Sequence, residues 1–110
     1  MILVKNYDVL GLDSNLIKIL NMLDDGFGPG IVTSAYRHGD DGVHGTWPVR
    51  GCDRRVRLPS VALYMVQYVD NLWLYDPDRP SLKCALYHDA GHGPHLHLQV
   101  HPNTIIRGIG

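Results

Sequence analysis

The sequence has no long apolar run, few cysteines and no excess of positive charge, and each of these absences excludes a class of protein. No stretch approaches the roughly 18 apolar residues of a transmembrane helix. With 10 Lys and Arg against 11 Asp and Glu, the chain lacks the basic field that non-specific nucleic-acid binding requires. Two cysteines make no disulfide scaffold, and we expect Cys52 and Cys84 to be free, buried thiols, with a single bridge between them as the alternative. We therefore expect neither a membrane nor a nucleic acid as partner.

The length and apolar content are typical of one folded domain. The chain has 110 residues, of which 45% are apolar, so we predict a single domain over residues 1–110 and a monomer. The N-terminus begins with only four apolar residues and has no basic segment and no small-residue cleavage site. These features predict cytoplasmic synthesis without a signal peptide.

Apolar periodicity predicts two helices and four strands. The first helix is predicted over residues 12–25 with Asp13 or Ser14 as its N-cap, and the second over residues 60–74, after Pro59. The apolar stripe of the second helix consists of Leu63, Val66, Val69, Leu72 and Trp73. Strands are predicted at residues 31–37, 52–58, 82–88 and 95–101. This irregular order of elements favours an α+β fold with a small antiparallel sheet, in which the last two strands form a hairpin.

Histidine is the conspicuous residue type. Five of the seven histidines fall within fourteen residues, at positions 88, 92, 95, 97 and 101. In the strand 95–101, alternation places His95, His97, Gln99 and His101 on one face and three apolar side chains on the other. Two imidazoles at i and i+2 are close enough to bind one metal ion, or to act as one ligand and one catalytic base. The alternative is a plain solvent-exposed polar face.

Two further segments carry residue types suited to a metal site. His44 lies in a Gly-rich loop and Asp53 lies at the start of a predicted strand. Together with one histidine of the His-Leu-His segment they would supply three protein ligands, the number that a catalytic zinc takes while it keeps one position for water. Arg37, at the end of another predicted strand, is suited to bind a carboxylate or an oxyanion. Taken singly, His44 is better explained as a loop histidine and Asp53 as a surface acid or strand-end cap, and the combination of the three ligands favours a metal site. The alternative for Arg37 is a surface arginine paired with Asp40 or Asp41.

In this order, the motifs SAYR (34–37), GVH (42–44), RGCD (50–53) and HLH (95–97) resemble the D-alanyl-D-alanine metallopeptidase family. That family includes zinc DD-carboxypeptidases, phage endolysins that cleave peptidoglycan cross-bridges, and the related hedgehog signalling domain. The resemblance extends from about residue 33 to residue 101. It implies a hedgehog/DD-peptidase-like α+β fold, with a small antiparallel sheet and two helices packed on one side.

The resemblance also implies roles for individual residues. The zinc (Zn2+) ligands would be His44, Asp53 and His97. Arg37 would be a catalytic and substrate-binding residue, assisted in substrate binding by Ser34. These roles are carried over from the family's motifs to the matching positions of this chain.

The motifs identify the proton-transfer residue and the substrate groove less directly than they identify the zinc ligands. The family often has an acidic residue three positions before the last ligand, where this chain has Pro94. The resemblance therefore implies His95, next to the metal-bound water, as the catalytic residue, with Asp89 as an alternative. Trp47 lies in the loop between two of the motifs and is expected to line a substrate groove. His88 and His92 are second-tier candidates that would orient a ligand, but their interpretation as ordinary surface turn residues is favoured.

The function implied is zinc-dependent hydrolysis of peptide bonds in bacterial cell-wall peptidoglycan, of DD-carboxypeptidase or endopeptidase type. The partners would be peptidoglycan stem peptides, and the enzyme would be of phage or prophage origin and act at the cell wall. The alternative is a catalytically inactive member of the same fold, acting as a metal-binding structural domain or as a cell-wall- or virion-associated domain. A histidine-metal nuclease is disfavoured by the charge balance.

Overall fold

The computed structural model describes residues 2–3, 11–34, 48–88 and 93–107, with residues 2–3 and Ser34 by their backbone alone. It is a small α+β domain with two helices and an antiparallel sheet in these ranges. The elements in chain order are β1 (Ile2–Leu3), α1 (Ser14–Phe27), β2 (Ile31–Ser34), β3 (Gly51–Arg55), α2 (Pro59–Leu72), β4 (Trp73–Leu74), β5 (Ala85–His88), β6 (His95–Gln99) and β7 (Ile105–Ile106). Within the described ranges, no helix has the length and apolar content needed to cross a membrane.

Helix α1 forms much as the sequence predicts. Asp13 is the N-cap, and its carboxylate accepts a hydrogen bond from the backbone N–H of Asn15 at 2.8 Å. The buried side chains are Leu16, Ile19, Leu20 and Leu23, the predicted apolar face. The helix continues through Gly26 to Phe27, two residues beyond the predicted end. It stops at Gly28, whose φ of 91° suits glycine and whose N–H donates to the Asp24 carbonyl.

The main sheet has five strands in the order β1-β2-β3-β6-β5, and every neighbouring pair is antiparallel. The predicted hairpin of the last two strands is confirmed as β5–β6. Strand β3 ends at Arg55 and not at Leu58, because its pairing with β6 ends where Arg55 meets His95, the first residue of β6. Strands β5 and β6 are likewise shorter than predicted. A second sheet joins β4 to β7, and the sequence pattern did not predict these two-residue strands.

Both helices lie on one face of the sheet. Arg54 of β3 points to that face, where its guanidinium donates to the Gly28 carbonyl at 2.9 Å and contacts the Met65 sulfur at 3.6 Å. It also pairs with the carboxylate of Asp24 at 3.4 Å. Because neighbouring strand residues alternate in direction, the adjacent Asp53 points to the opposite face of the sheet. This alternation separates the hydrophobic core from the polar face that carries the candidate site.

The predicted apolar stripe of α2 is partly wrong. Leu63 and Leu72 are 58% and 38% exposed, whereas the buried residues of the helix are Ala62, Met65 and Val69. Trp73 is buried as predicted, but it begins β4 and does not belong to the helix. Apolar residues occur on nearly every side of α2, so packing against the sheet decides which of them are buried.

Gly30 provides a test of the buried Arg54 contact. A Cβ atom at position 30 would overlap the Nε and Cζ atoms of Arg54, which the core holds in place. We expect Gly30→Ala to lower the free energy of unfolding by about 1–3 kcal/mol through overpacking, measured by urea denaturation. The matched control is Gly26→Ala, inside α1, where a Cβ meets only the ring edge of the half-exposed Tyr68 and alanine favours the helix. An equal loss of stability in both variants would contradict the account.

Candidate metal centre

The sheet brings together two predicted ligands that lie 44 positions apart in the sequence. The register of β3 and β6 pairs Asp53 directly with His97. The His97 Nδ1 atom lies 3.0 Å from the Asp53 Oδ1 atom. Asp53 is 6% exposed, and the His97 side chain is 19% exposed. The pair therefore forms a partly buried nitrogen–oxygen site on the face of the sheet opposite the helices.

His95, the predicted catalytic residue, lies beside this pair on the same face. Its Nε2 atom is 3.9 Å from Asp53 Oδ2, the second oxygen of the carboxylate. Its Nδ1 atom is 3.3 Å from the Gly93 carbonyl oxygen. His88 of β5 is paired with His95 across the hairpin, and the two ring centroids are 4.9 Å apart. Two imidazoles thus approach different oxygens of one carboxylate, and a third ring packs behind one of them.

Gln99 is part of the site and had no predicted role. Its side-chain Oε1 atom lies 3.1 Å from His97 Nε2, and its side-chain Nε2 donates to the Lys83 carbonyl at 2.9 Å. The alternation of polar and apolar residues in β6 could have identified Gln99, since it places His95, His97 and Gln99 on one face. That alternation is confirmed: Leu96, Leu98 and the following Val100 are buried.

Several predicted site residues fall outside the described part of the chain. These are Arg37, His44, Trp47, Asp89 and His92. The backbone of Ser34 is paired with Asp53 in the register of β2 and β3, and its side chain is likewise outside the description. Among the residues that the structure describes, no three His, Cys, Asp or Glu side chains form a group suited to hold a metal ion. The roles of these residues stay predictions.

The donor chemistry of the Asp53–His97 pair fits zinc. Zinc takes imidazole nitrogen and carboxylate oxygen, and two ligands of a tetrahedral zinc site lie about 3.3 Å apart. The 3.0 Å between His97 Nδ1 and Asp53 Oδ1 is close to that separation. This separation is also that of an ordinary hydrogen bond, so the fit to zinc rests on the donor types of the two residues.

The two cysteines are not candidates for ligands or nucleophiles. Both are free and buried, as predicted. Burial, together with the negative charge of Asp53, raises the pKa of the Cys52 thiol far above its ordinary range. Burial and the charge of Asp70 raise the pKa of Cys84 to about 12. Both thiols therefore stay protonated at neutral pH, and Cys52 points to the core face of β3.

His101 belongs to a separate polar cluster after the end of β6. Its Nδ1 atom accepts a hydrogen bond from the backbone N–H of Asn103 at 3.1 Å and lies 4.0 Å from the Asp76 carboxylate. Hydrogen bonds from the Arg79 side chain and then from the Asp78 backbone lower the pKa of Asp76. These contacts give His101 a structural role in a turn.

Comparisons of this chain with protein-family models, with curated proteins and with solved structures found no match.

Proposed function

We propose that this chain is a zinc-dependent hydrolase that cleaves peptide bonds in bacterial cell-wall peptidoglycan, of the DD-carboxypeptidase or endopeptidase type. The observation that carries the proposal is the 3.0 Å approach of His97 Nδ1 to Asp53 Oδ1, two residues from motifs that resemble that family. The proposal includes a hedgehog/DD-peptidase-like fold. This fold assignment is supported by the position of both helices on one face of the main sheet and of Asp53 and His97 on the other.

The ligands in this proposal are His44, Asp53 and His97. A zinc ion held by them would lower the pKa of a bound water and polarise the carbonyl of the scissile bond. In this proposal the zinc ion and the imidazole of His97 balance the charge of Asp53, which is 6% exposed. The pairing of β3 with β6 fixes both side chains on rigid strands, as a metal site requires.

The other proposed residues act on the substrate. His95 Nε2, near the second oxygen of Asp53, accepts the proton released when water attacks, and returns it to the leaving amine. Arg37 binds the terminal carboxylate of a stem peptide or the developing oxyanion, with Ser34 beside it. Trp47 contributes an apolar wall of the substrate groove. The role of His95 draws support from its position, those of Arg37 and Ser34 rest on the resemblance, and that of Trp47 rests on its place in the loop between two motifs.

A catalytically inactive, metal-binding domain of the same fold is the second candidate. The observation that favours it is Pro94, which has no titratable group at the position where the family often has an acid. In this case the metal would hold the sheet face together in a cell-wall- or virion-associated protein. Zinc would bind in both cases, and hydrolysis distinguishes them.

The test is hydrolysis of purified muropeptides, followed by mass spectrometry of the products. We expect a product that is one D-alanine shorter or a cleaved cross-bridge. Activity should fall to background after dialysis against a chelator and return when zinc is added. A folded, zinc-loaded protein that leaves every muropeptide intact would contradict the enzyme and favour the inactive domain.

A further inference from the structure

The imidazole of His97 faces an oxygen atom on each side. Its Nδ1 is 3.0 Å from Asp53 Oδ1, and its Nε2 is 3.1 Å from Gln99 Oε1. A neutral imidazole carries one N–H, so it donates to only one of two such oxygens. The other nitrogen then directs its lone pair at an oxygen unless a proton or a metal ion lies between them.

The orientation of the Gln99 amide decides which nitrogen carries the proton. The Lys83 carbonyl, 2.9 Å from the amide nitrogen of Gln99, is an acceptor only, so the NH2 group of Gln99 must face it. The amide oxygen is therefore left facing His97 Nε2. Since this oxygen is also an acceptor only, a hydrogen bond here requires a proton on Nε2.

We propose that Gln99 is a positioning residue that holds His97 Nε2 as the protonated nitrogen and so presents Nδ1, on the Asp53 side, as the metal-binding atom. This inference rests on the proposed zinc site. Histidine ligands in metal sites commonly donate their second ring N–H to a carbonyl or carboxylate, which fixes the tautomer and the ring plane. Gln99 provides such an acceptor two positions along the same strand.

The opposite tautomer is disfavoured by contacts on both sides of Gln99. With the proton on Nδ1, the bare Nε2 lone pair of His97 would face Gln99 Oε1. Turning the amide over would relieve that contact, but it would bring Gln99 Oε1 against the Lys83 carbonyl oxygen. Either arrangement opposes two acceptors in a partly buried site, where the repulsion is poorly screened. The proposed tautomer directs the bare Nδ1 at Asp53 Oδ1, and that contact becomes favourable when a proton or a metal ion lies between the two atoms.

The first experiment reads the proton directly, without metal and without substrate. In the metal-free wild-type protein with 15N-labelled histidine, long-range 1H–15N correlation spectra should show a proton on His97 Nε2. The Gln99→Leu variant removes the acceptor and should lose this preference. A neutral wild-type ring with its proton on Nδ1 and a bare Nε2 would overturn the inference.

The second experiment measures zinc affinity by competition with a chromophoric chelator. We expect Gln99→Leu to weaken zinc binding about 10- to 100-fold, the usual effect of removing a partner of a ligand. Gln99→Glu keeps an acceptor for His97 Nε2–H but loses the donation to Lys83, so it should bind zinc more tightly than Gln99→Leu. The matched control is Gln67→Leu, on the exposed surface of α2, which should bind zinc as the wild type does.

The variants separate positioning from a structural role. If Gln99 only secured the chain at Lys83, Gln99→Glu would bind zinc as weakly as Gln99→Leu, and that result would overturn the inference. Equal affinity of Gln99→Leu and wild type would do the same. A wild-type protein that binds no zinc would instead overturn the proposed function, while the spectra of the metal-free protein still decide whether Gln99 holds Nε2–H.

Discussion

Replacing His97 with alanine should abolish zinc binding and peptide hydrolysis together. In the proposed site His97 supplies a ligand atom, Nδ1, which lies 3.0 Å from Asp53 Oδ1, and alanine leaves no donor in its place. The loss of zinc affinity should exceed the roughly 10- to 100-fold that partners of ligands contribute. Isothermal titration with zinc and the muropeptide assay measure the two effects, and circular dichroism checks that the variant is folded.

Two further alanine variants make this result specific. His95→Ala should keep zinc but lower kcat about 10²- to 10⁴-fold, because it removes the proposed proton-transfer group and no ligand. His101→Ala is the matched control, since its side chain is 25% exposed against 19% for His97 and lies four positions away in the turn with Asn103. The assignment fails if His97→Ala still binds zinc with wild-type affinity, or if His101→Ala loses zinc equally.

The second large effect concerns the hydrophobic core. Leu20 of α1 is fully buried, so Leu20→Ala should lower the free energy of unfolding by about 2–5 kcal/mol through lost burial and the cavity left behind. That is a large share of the roughly 5–15 kcal/mol by which a typical domain is stable. Urea denaturation, monitored by circular dichroism, measures the change.

Leu63→Ala of α2 is the matched control for Leu20→Ala. The sequence pattern places both leucines in the core, whereas the structure leaves Leu63 58% exposed. We therefore expect a change within about 0.5 kcal/mol for Leu63→Ala. A loss comparable to that of Leu20→Ala would show that the sequence-based stripe of α2 is correct and that the helix is rotated from its described position.

The two helices show when a sequence pattern alone predicts which side chains of a helix are buried. In α1 the four buried side chains repeat with helical spacing, and Ile17 and Met22 beside them are partly buried, so the periodicity specifies which face is buried. In α2 apolar residues surround the helix, and the choice of Met65 over Leu63 depends on contacts with Arg54 and the sheet. Such contacts join residues far apart in the sequence, and local periodicity contains no information about them.

The same distinction applies to the candidate site. The alternation in β6 predicts which of its side chains are polar-facing, since direction along one strand is a local property. Motif resemblance nominated Asp53 and His97, but their direct pairing follows from the antiparallel register of β3 and β6, which the core face also determines. Gln99 was missed because its role depends on the Lys83 carbonyl, a backbone group that gives no sequence signal.

The most direct measurement is the metal content of the purified full-length protein by inductively coupled plasma mass spectrometry. The account predicts one zinc per chain, and loss of that zinc in both the His97→Ala and the His44→Ala variants. A folded wild-type protein that contains no metal and takes up none on dialysis against zinc would contradict the assignment of these histidines.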